Sequence, residues 1–303
     1  MHLSIDSVRL NFSPDSLWVL NLCLAVIMFG ISLDISVDDF RKVIESPKAA
    51  IIGLISQFLL LPALTFLVIL VLQPAPSLAL GMMMVAACPG GNISNFMTHM
   101  AKGNTALSVS LTSVGTVLSI FMTPLNLELW ASLYAPTASI LKAVSLDIWE
   151  VFKTIATLIG IPLILGMSFR QKFPRQAIAL SKKVKPISIL IFASFVVIAF
   201  ANNFSIFTQY FQLIVIIVFL HNALALLLGY YSARVGGLPE NDRKTLAIET
   251  GIQNSGLGLI LIFGFFDGLG GMAIVAAWWG LWHIISGLSI SYYWSQKKVT
   301  SEI

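Results

Sequence analysis

One polar stretch interrupts the apolar second half of this chain: Ile248-Glu249-Thr250-Gly251-Ile252-Gln253-Asn254-Ser255-Gly256. The apolar runs on either side place its acid, Glu249, near the middle of a membrane. A carboxylate at that depth costs roughly 2.5–3.5 kcal/mol on insertion scales, so it needs a partner, and a cation is the natural one. The stretch therefore predicts an ion site inside the membrane.

Composition identifies the surroundings as a lipid bilayer. Of the 303 residues, 57% are hydrophobic and only 11% are charged, and the mean hydropathy is +0.89; these values are typical of an all-α integral membrane protein. The formal net charge is +4, but the basic residues lie in short segments between apolar runs, where they orient a chain in the bilayer. We therefore expect lipid around the protein and no nucleic acid as a partner.

Long apolar runs predict the membrane spans. A helix needs about 20 residues to cross the hydrocarbon core. Seven runs approach or exceed that length, namely 17–34, 49–72, 106–127, 151–167, 187–201, 212–232 and 272–294. Two further runs, 77–101 and 245–266, are interrupted, the first by Pro89-Gly90-Gly91-Asn92 and the second by the stretch quoted above. Each of these is either a loop or a broken span, and Pro89-Gly90-Gly91 by itself is also compatible with a simple kink.

The distribution of Lys and Arg decides between a loop and a broken span. If both interrupted runs cross, the chain has nine spans, and 15 of the 18 basic residues collect on one side. If the first run did not cross, the basic segment 170–185 would move to the face opposite Arg41, Lys42 and Lys48, and this bias would largely vanish. The positive-inside rule therefore predicts nine transmembrane helices in a cell (inner) membrane, with residues 1–16 outside and the tail 296–303 in the cytoplasm.

The two halves of the chain resemble each other. Residues 17–128 run as a long helix, a long helix with Gln57, a broken helix (77–101) and a long helix. Residues 186–295 repeat this order with the broken helix 245–266, whereas the span 147–167 has no counterpart. Because five spans, an odd number, separate each element from its partner, the two copies must lie inverted in the bilayer. Inverted repeats with paired discontinuous helices are typical of secondary transporters.

The two breaks are predicted to bind ions. Unwound backbone frees carbonyls for a hard cation, and the half-helix that follows presents unpaired amides to an anion. Oxygen ligands with a single carboxylate suit an alkali cation better than zinc, copper or calcium. Hydroxyls on apolar helices also commonly donate to a carbonyl one turn earlier. Interior histidines, as predicted for His221 and His283, are more commonly hydrogen-bonded than bound to a ligand. The nearby oxygen-bearing side chains are those of Ser94, Asn95, Ser108, Thr112, Glu249, Gln253 and Asn254.

In combination, these motifs resemble the bile acid:sodium symporter family, and the likeness covers essentially the whole chain. It is carried by Cys88-Pro89-Gly90-Gly91-Asn92-Ile93-Ser94-Asn95, Ala101-Lys102-Gly103-Asn104, Ala106-Leu107-Ser108, Glu249-Thr250-Gly251-Ile252-Gln253-Asn254-Ser255-Gly256 and Trp282-His283. The resemblance implies the ten-helix fold of the better-known bacterial members without its first helix. It also implies a core domain (about 49–128 and 210–295) that holds two crossed discontinuous helices, and a panel domain (about 17–35 and 147–204) that moves against it.

The resemblance further implies two sodium sites and one site for an organic anion. The first sodium site would fall on Ser94, Asn95, Ser108, Thr112 and Glu249. The second would use the side chains of Gln57, Glu249 and Gln253 with the backbone carbonyls of Thr250 and Ile252. The anion would bind near Asn92, Asn254 and His283. The chain departs from the family pattern at Ile284, where many members have Asn.

These observations predict a secondary active transporter that couples two Na⁺ ions to the symport of an organic anion by alternating access. The anion is either bile-acid-like or a small carboxylate such as pantoate or a keto acid. No Lys or Arg is expected inside the core, so helix N-termini, amides and His283 would hold it. The alternative is proton coupling with Glu249 as the proton carrier. An enzyme is not expected, because the sequence has no evident nucleophile–base pair or metal-ligand cluster.

Overall fold

The computed structural model describes residues 5–6, 8–9, 14–45, 47–144, 147–202 and 204–296, and within them the fold is built from helices. Much of the predicted termini, 1–16 and 296–303, lies outside the described residues. The helices are α1 (Pro14–Ser32), α2 (Val37–Glu45), α3 (Pro47–Ile55), α4 (Leu61–Leu72), α5 (Pro76–Ala87), α6 (Ile93–Met100), α7 (Thr105–Leu133), α8 (Ala135–Val144), α9 (Ile148–Ile155), α10 (Ile161–Lys172), α11 (Pro174–Asn202), α12 (Phe204–Val235), α13 (Glu240–Gly251), α14 (Ser255–Phe265) and α15 (Gly270–Gln296).

Five helical stretches in the described part of the chain are long and apolar enough to cross a membrane. They are Pro47–Leu72, Thr105–Leu133, Ile148–Lys172, Phe207–Val235 and Gly270–Gln296. A sixth is added if Asn21–Ser32 and Val37–Glu45, which meet at a bend of 61°, are taken as one broken span. The protein is therefore a multi-pass, all-helical membrane protein, and nine spans stay a prediction.

Three stretches between the predicted spans are helical. Arg41 and Lys42 lie on α2, where Ser36 N donates to Asp39 Oδ2 at 2.9 Å across the first turn. Residues 135–144 form α8. In the basic segment 170–185, only Phe173 separates α10 from α11. The sequence did not predict these helices, because a search for apolar runs of about 20 residues does not detect short or polar helices.

Two pairs of short helices meet at their breaks in the centre of the fold. The first pair is α5 and α6, and the second is α13 and α14. Gly91 N donates to Ile252 O at 2.7 Å, and Asn254 N donates to Pro89 O at 2.8 Å, so each break supplies hydrogen-bond partners to the other. A Cβ on Gly91 would lie 3.1 Å from Gln253 O, so this close approach favours glycine. The Pro-Gly-Gly segment is thus a break in the helix and not a kink.

Glycines also bring neighbouring helices into close contact. A Cβ on Gly229 of α12 would lie 2.2 Å from Leu246 O of α13, and one on Gly81 of α5 would lie 2.9 Å from the Met272 Cα of α15. Small residues at helix contacts are how membrane helices pack closely where lipid removes the hydrophobic driving force. These contacts pack α12 against α13 and α5 against α15.

A second group of contacts joins α1 to α10 and α11. Ser32 Oγ donates to Pro162 O at 2.9 Å, and a Cβ on Gly166 would lie 1.8 Å from that hydroxyl oxygen. Ser181 Oγ donates to Asp34 Oδ1 at 2.6 Å at the same end of α1. These three helices therefore pack on one another, while their assignment to a moving panel domain stays a prediction.

A π-helical turn, Ser56–Leu60, interrupts the span that the sequence predicted as one regular helix. Pro62 follows it and has no N–H to offer the carbonyl four residues earlier. That carbonyl, Phe58 O, accepts a hydrogen bond from Asn126 Nδ2 of α7 at 3.0 Å. Trp130 Nε1 in turn donates to Asn126 Oδ1 at 3.0 Å. Asn126 therefore stabilises the irregular turn that carries Gln57.

Replacing Asn126 with Leu is expected to destabilise the fold. The substitution leaves Phe58 O buried with one donor fewer, which costs about 1–3 kcal/mol of unfolding free energy. Thermal unfolding in detergent should show a lower melting temperature than for Leu129→Ala, a control at a lipid-facing position of the same helix that is 52% exposed. Equal melting temperatures for the two variants would contradict the role given to Asn126.

Candidate functional site

The Glu249 carboxylate lies buried beside the crossing of the two broken helices. It sits two residues before the end of α13, and the residue is only 6% exposed. Ser94 Oγ donates to Glu249 Oε1 at 2.5 Å, and Ser108 Oγ donates to the same oxygen. Thr112 Oγ1 donates to Glu249 Oε2 at 3.0 Å. Three hydroxyls from α6 and α7 therefore surround the one carboxylate.

Asn95 completes this oxygen cluster. Its Oδ1 accepts from Ser108 Oγ at 2.8 Å and from Thr112 Oγ1 at 3.3 Å. Ser108 and Thr112 reach the same place because residues four apart lie on one face of a helix. The five residues predicted for the first sodium site, Ser94, Asn95, Ser108, Thr112 and Glu249, thus lie together.

The cluster contains more oxygen acceptors than its hydroxyl protons can fill. The single proton of Ser108 faces Asn95 Oδ1, Glu249 Oε1 and, at 3.3 Å, Thr98 Oγ1. The single proton of Thr112 faces Ser108 O at 2.9 Å as well as Asn95 Oδ1 and Glu249 Oε2. Such an excess of oxygen lone pairs around one carboxylate is the environment that a hard monovalent cation prefers.

Thr98 was missed by the sequence reasoning. It is fully buried and lies on α6, four residues after Ser94. Residues at that spacing share a helix face, so the spacing contained a signal that could have identified Thr98.

The second predicted set forms around a pair of glutamines. Gln57 Nε2 donates to Gln253 Oε1 at 2.8 Å and to Cys88 O at 2.9 Å. Gln253 Nε2 donates to Gln57 Oε1 at 3.1 Å and to Thr250 O at 2.7 Å. The side chains of Gln57 and Gln253 and the Thr250 carbonyl therefore lie together beside the break.

Two members of the second set are directed elsewhere. Ile252 O accepts a hydrogen bond from Gly91 N, and the Glu249 carboxylate points into the first cluster. No hydrogen bond among the described residues joins Glu249 to Gln57 or Gln253. Gly90 lies between the Glu249 carboxylate and the Ile252 carbonyl, since a Cβ on it would lie 3.2 Å from Glu249 Oε2 and 3.8 Å from Ile252 O.

Two of the residues predicted for the substrate lie at the starts of half-helices. Asn254 Oδ1 accepts from Leu257 N at 3.1 Å and so caps α14, and Asn92 is the residue before α6. His283 is buried on α15, one turn before Gly287, where a Cβ would lie 2.8 Å from Ile252 Cδ1. His283 is therefore one turn from a residue that packs against the break, and no hydrogen bond in the described part of the chain joins it to Asn92 or Asn254.

Asn222 and Ser286 support the second break. Asn222 Nδ2 donates to Gly251 O at 2.8 Å, and Ser286 Oγ donates to Asn222 Oδ1 at 2.6 Å. The neighbouring His221 has its Nε2 atom 2.7 Å from Thr65 Oγ1. His221 is thus a hydrogen-bonded interior histidine, whereas Asn222 binds the carbonyl where α13 ends.

The prediction that no Lys or Arg lies inside the core was wrong, because Lys244 is buried. The residue is only 7% exposed, and its Nζ donates to Ala101 O at 3.4 Å. The polar segment 240–245 has no apolar pattern that would predict a buried helix. In the structure, that segment is the first part of α13.

Comparisons with known proteins identify the family to which this chain belongs. The sequence model of the "Sodium Bile acid symporter family" matches residues 21–210. The "Uncharacterized sodium-dependent transporter YocS" of Bacillus subtilis (strain 168) is 33% identical over 293 residues, which cover 95% of this chain and 88% of that protein. The "Ileal sodium/bile acid cotransporter" of Homo sapiens is 27% identical over 242 residues, covering 79% of this chain and 67% of that protein.

A plant relative shares the same region. The "Probable sodium/metabolite cotransporter BASS2, chloroplastic" of Oryza sativa subsp. japonica is 31% identical over 243 residues, and these cover 78% of this chain but 55% of that protein. This chain thus spans about half the length of the rice protein. The family match and the extent of the similarity to YocS show that the chain belongs to the sodium bile acid symporter family.

Proposed function

We propose that this protein is a secondary active transporter that couples the inward movement of Na⁺ to the symport of an organic anion. The observation that carries the proposal is the convergence of five oxygen-bearing side chains from α6, α7 and α13 on a buried crossing of two broken helices. A buried carboxylate in this position is costly unless a cation pairs with it. Sodium fits because the ligands are hard oxygens and only one is charged.

The first sodium ion would bind between the Glu249 carboxylate and the side-chain oxygens of Ser94, Asn95, Ser108 and Thr112. The hydroxyls would turn their protons away from the ion and toward the acceptors already beside them, such as Ser108 O for Thr112. Binding would therefore need rotation of hydroxyls and no rearrangement of helices.

The second sodium ion would bind at Gln57 and Gln253. The two amide oxygens and the carbonyls of Thr250 and Ile252 would be its ligands, and the reciprocal hydrogen bonds between the glutamines would open to admit it. Glu249 would contribute to this site through its charge, because its carboxylate points toward the first cluster.

The organic anion would bind where α6 and α14 begin. Helix N-termini present unpaired N–H groups and the positive end of the helix dipole. Asn92 and Asn254 lie at this place. His283 lies on α15, one turn before Gly287, which packs against Ile252. A bile-acid-like steroid and a small carboxylate such as pantoate both carry the negative charge that such a site recognises.

Coupling would follow from the shared backbone of the breaks. Sodium ions that order the two unwound segments also order the helix ends that the anion uses, so each ligand raises the affinity for the other. Alternating access would move α1 and α9–α11, the proposed panel domain, against the core domain that contains the crossing. The inverted repeats and nine spans complete this proposal, and they are supported by the matching pairs α5–α6 and α13–α14.

Sodium should stabilise the purified protein, and Glu249→Gln should remove the effect. A ligand that binds only the folded state adds about 2.7 kcal/mol at a hundredfold excess over its Kd. We expect thermal unfolding of the wild type to shift upward in sodium relative to potassium at equal ionic strength. The substitution keeps the shape of Glu249 but removes the charge.

Glu128→Gln is the matched control, because Glu128 lies exposed on α7. This variant should respond to sodium as the wild type does. If wild-type stability were the same in both salts but changed with pH in a Glu249-dependent manner, proton coupling would replace sodium coupling.

Gln253→Leu should reduce the number of sodium ions without abolishing sodium binding. The variant loses the amide contacts to Gln57 and Thr250 but leaves the Ser94, Ser108 and Thr112 cluster in place. Sodium titrations of anion uptake into vesicles should change from a Hill coefficient close to two toward one. A Hill coefficient near one in the wild type would contradict the second ion.

His283→Phe should weaken the response to anions and spare the response to sodium. The ring volume is kept, but the polar atoms near the break are lost. We expect the anion concentration for half-maximal thermal stabilisation to rise at least about fivefold, which is the low end of the affinity changes typical of coupled sites. Cholate and pantoate, each measured with sodium present, are the two probes.

The matched control is His99→Phe, since His99 is exposed on α6. A weaker sodium response in His283→Phe with an unchanged anion response would assign His283 to the ion sites instead.

A further inference from the structure

We propose that Lys244 is a positioning residue for sodium binding, acting through the C-terminal end of α6. The inference rests on the sodium-coupled function proposed above. Lys244 is a cation buried in the core, at 7% exposure, in a fold where such groups are expensive. Its ammonium donates to Ala101 O, a carbonyl directly after α6 ends. A positive charge at a helix C-terminus is favourable because it meets the negative end of the helix dipole.

The contact matters because α6 is a helix of only eight residues with a ligand cluster at its other end. Ser94 and Asn95, in its first turn, contact Glu249 and Ser108. Just before the N-terminal end of α6, Gly91 N donates to the backbone oxygen of Ile252, the residue directly after α13, and this contact joins the two helices at the break. Lys244 joins the C-terminal end of α6 to the same helix, so α6 is attached to α13 at both ends.

The next helix is attached to α13 at the same level. Asn104 N donates to Thr245 Oγ1 at 2.8 Å, and Asn104 Nδ2 donates to Asp242 Oδ1 at 2.8 Å. Asn104 also caps α7 by accepting from Leu107 N at 3.1 Å. We name these contacts, formed by Ala101, Asn104, Asp242, Lys244 and Thr245, the inner latch.

The inner latch sets the relative positions of the three helices that carry the ligands. Ser108 lies one turn after Asn104 on α7, and Glu249 lies five residues after Lys244, about 7.5 Å along the axis of α13. Residues that orient metal ligands without touching the metal typically change its affinity about 10- to 100-fold when removed. Loss of the latch should therefore loosen the oxygen cluster without removing any ligand.

The direction of the effect separates positioning from simple electrostatics. Removing a positive charge near a cation site lowers the repulsion, so a direct charge effect would strengthen sodium binding. A loss of positioning would weaken it. Lys244→Met, which keeps most of the side-chain length and removes the charge, therefore gives opposite results under the two explanations.

We expect the sodium concentration for half-maximal stabilisation of Lys244→Met to rise at least about tenfold. Lys244→Arg, which keeps the charge and the donors, should restore most of the affinity. The matched control is Lys102→Met. Lys102 is exposed in the same turn, and its Nζ donates to Ser295 O of α15 at 2.6 Å, so the variant loses a charge and a helix-end contact that does not involve α13. Its sodium response should stay close to that of the wild type.

The measurement is a thermal-unfolding titration with sodium at constant ionic strength, read together with the melting temperature in potassium. A purely structural role would lower the potassium value and leave the half-maximal sodium concentration unchanged. That outcome would overturn the inference. So would tighter sodium binding in Lys244→Met than in the wild type, or the same change in the half-maximal sodium concentration in Lys244→Met and Lys102→Met.

Thr245→Val decides the question if Lys244→Met does not fold. It keeps the side-chain shape but loses the oxygen that accepts from Asn104 N, and it should weaken sodium binding in the same direction. Unchanged sodium affinity in this variant would then overturn the inference. A wild type without any sodium response would instead contradict the proposed function, so the two failures are distinguishable.

Discussion

The buried carboxylate of Glu249 is the constraint on which the rest of the structure depends. A negative charge in a lipid-surrounded core is tolerated only where hydrogen-bond donors or a cation meet it. Here Ser94, Ser108 and Thr112 donate to it from two other helices. These donors reach the carboxylate because α6 starts beside the end of α13, where the two broken helices meet.

The broken backbone creates a second constraint. Peptide groups outside a helix need partners when no water is available, and the two breaks supply them to each other through Gly91, Ile252, Pro89 and Asn254. The crossing is therefore a single hydrogen-bonded unit that joins distant segments of the sequence, as the contact between Ser94 and Glu249, 155 residues apart, illustrates. In the proposed transport cycle, a ligand that binds either break would act on both, and this would couple the ion to the anion.

Much of the site could be read from the sequence, and the misses have identifiable causes. Polar and glycine residues inside apolar runs marked both breaks, and the family resemblance placed Ser94, Asn95, Ser108 and Thr112 in one set with Glu249. The π-helical turn at Ser56–Leu60 was missed because its cause is partly the donor that Asn126 supplies from another helix. The helices α2 and α8 were missed because they are too short to span a bilayer.

The sequence by itself determined the membrane environment, the location of both breaks and the oxygen-bearing side chains beside them, because hydropathy, glycine and proline act on the backbone nearby. Only the tertiary structure decided which groups meet. Gln57 pairs with Gln253, 196 residues later, and Lys244 becomes a buried cation at the end of α6. The physical reason is that a contact between distant residues depends on how whole helices pack, and no local pattern records that packing.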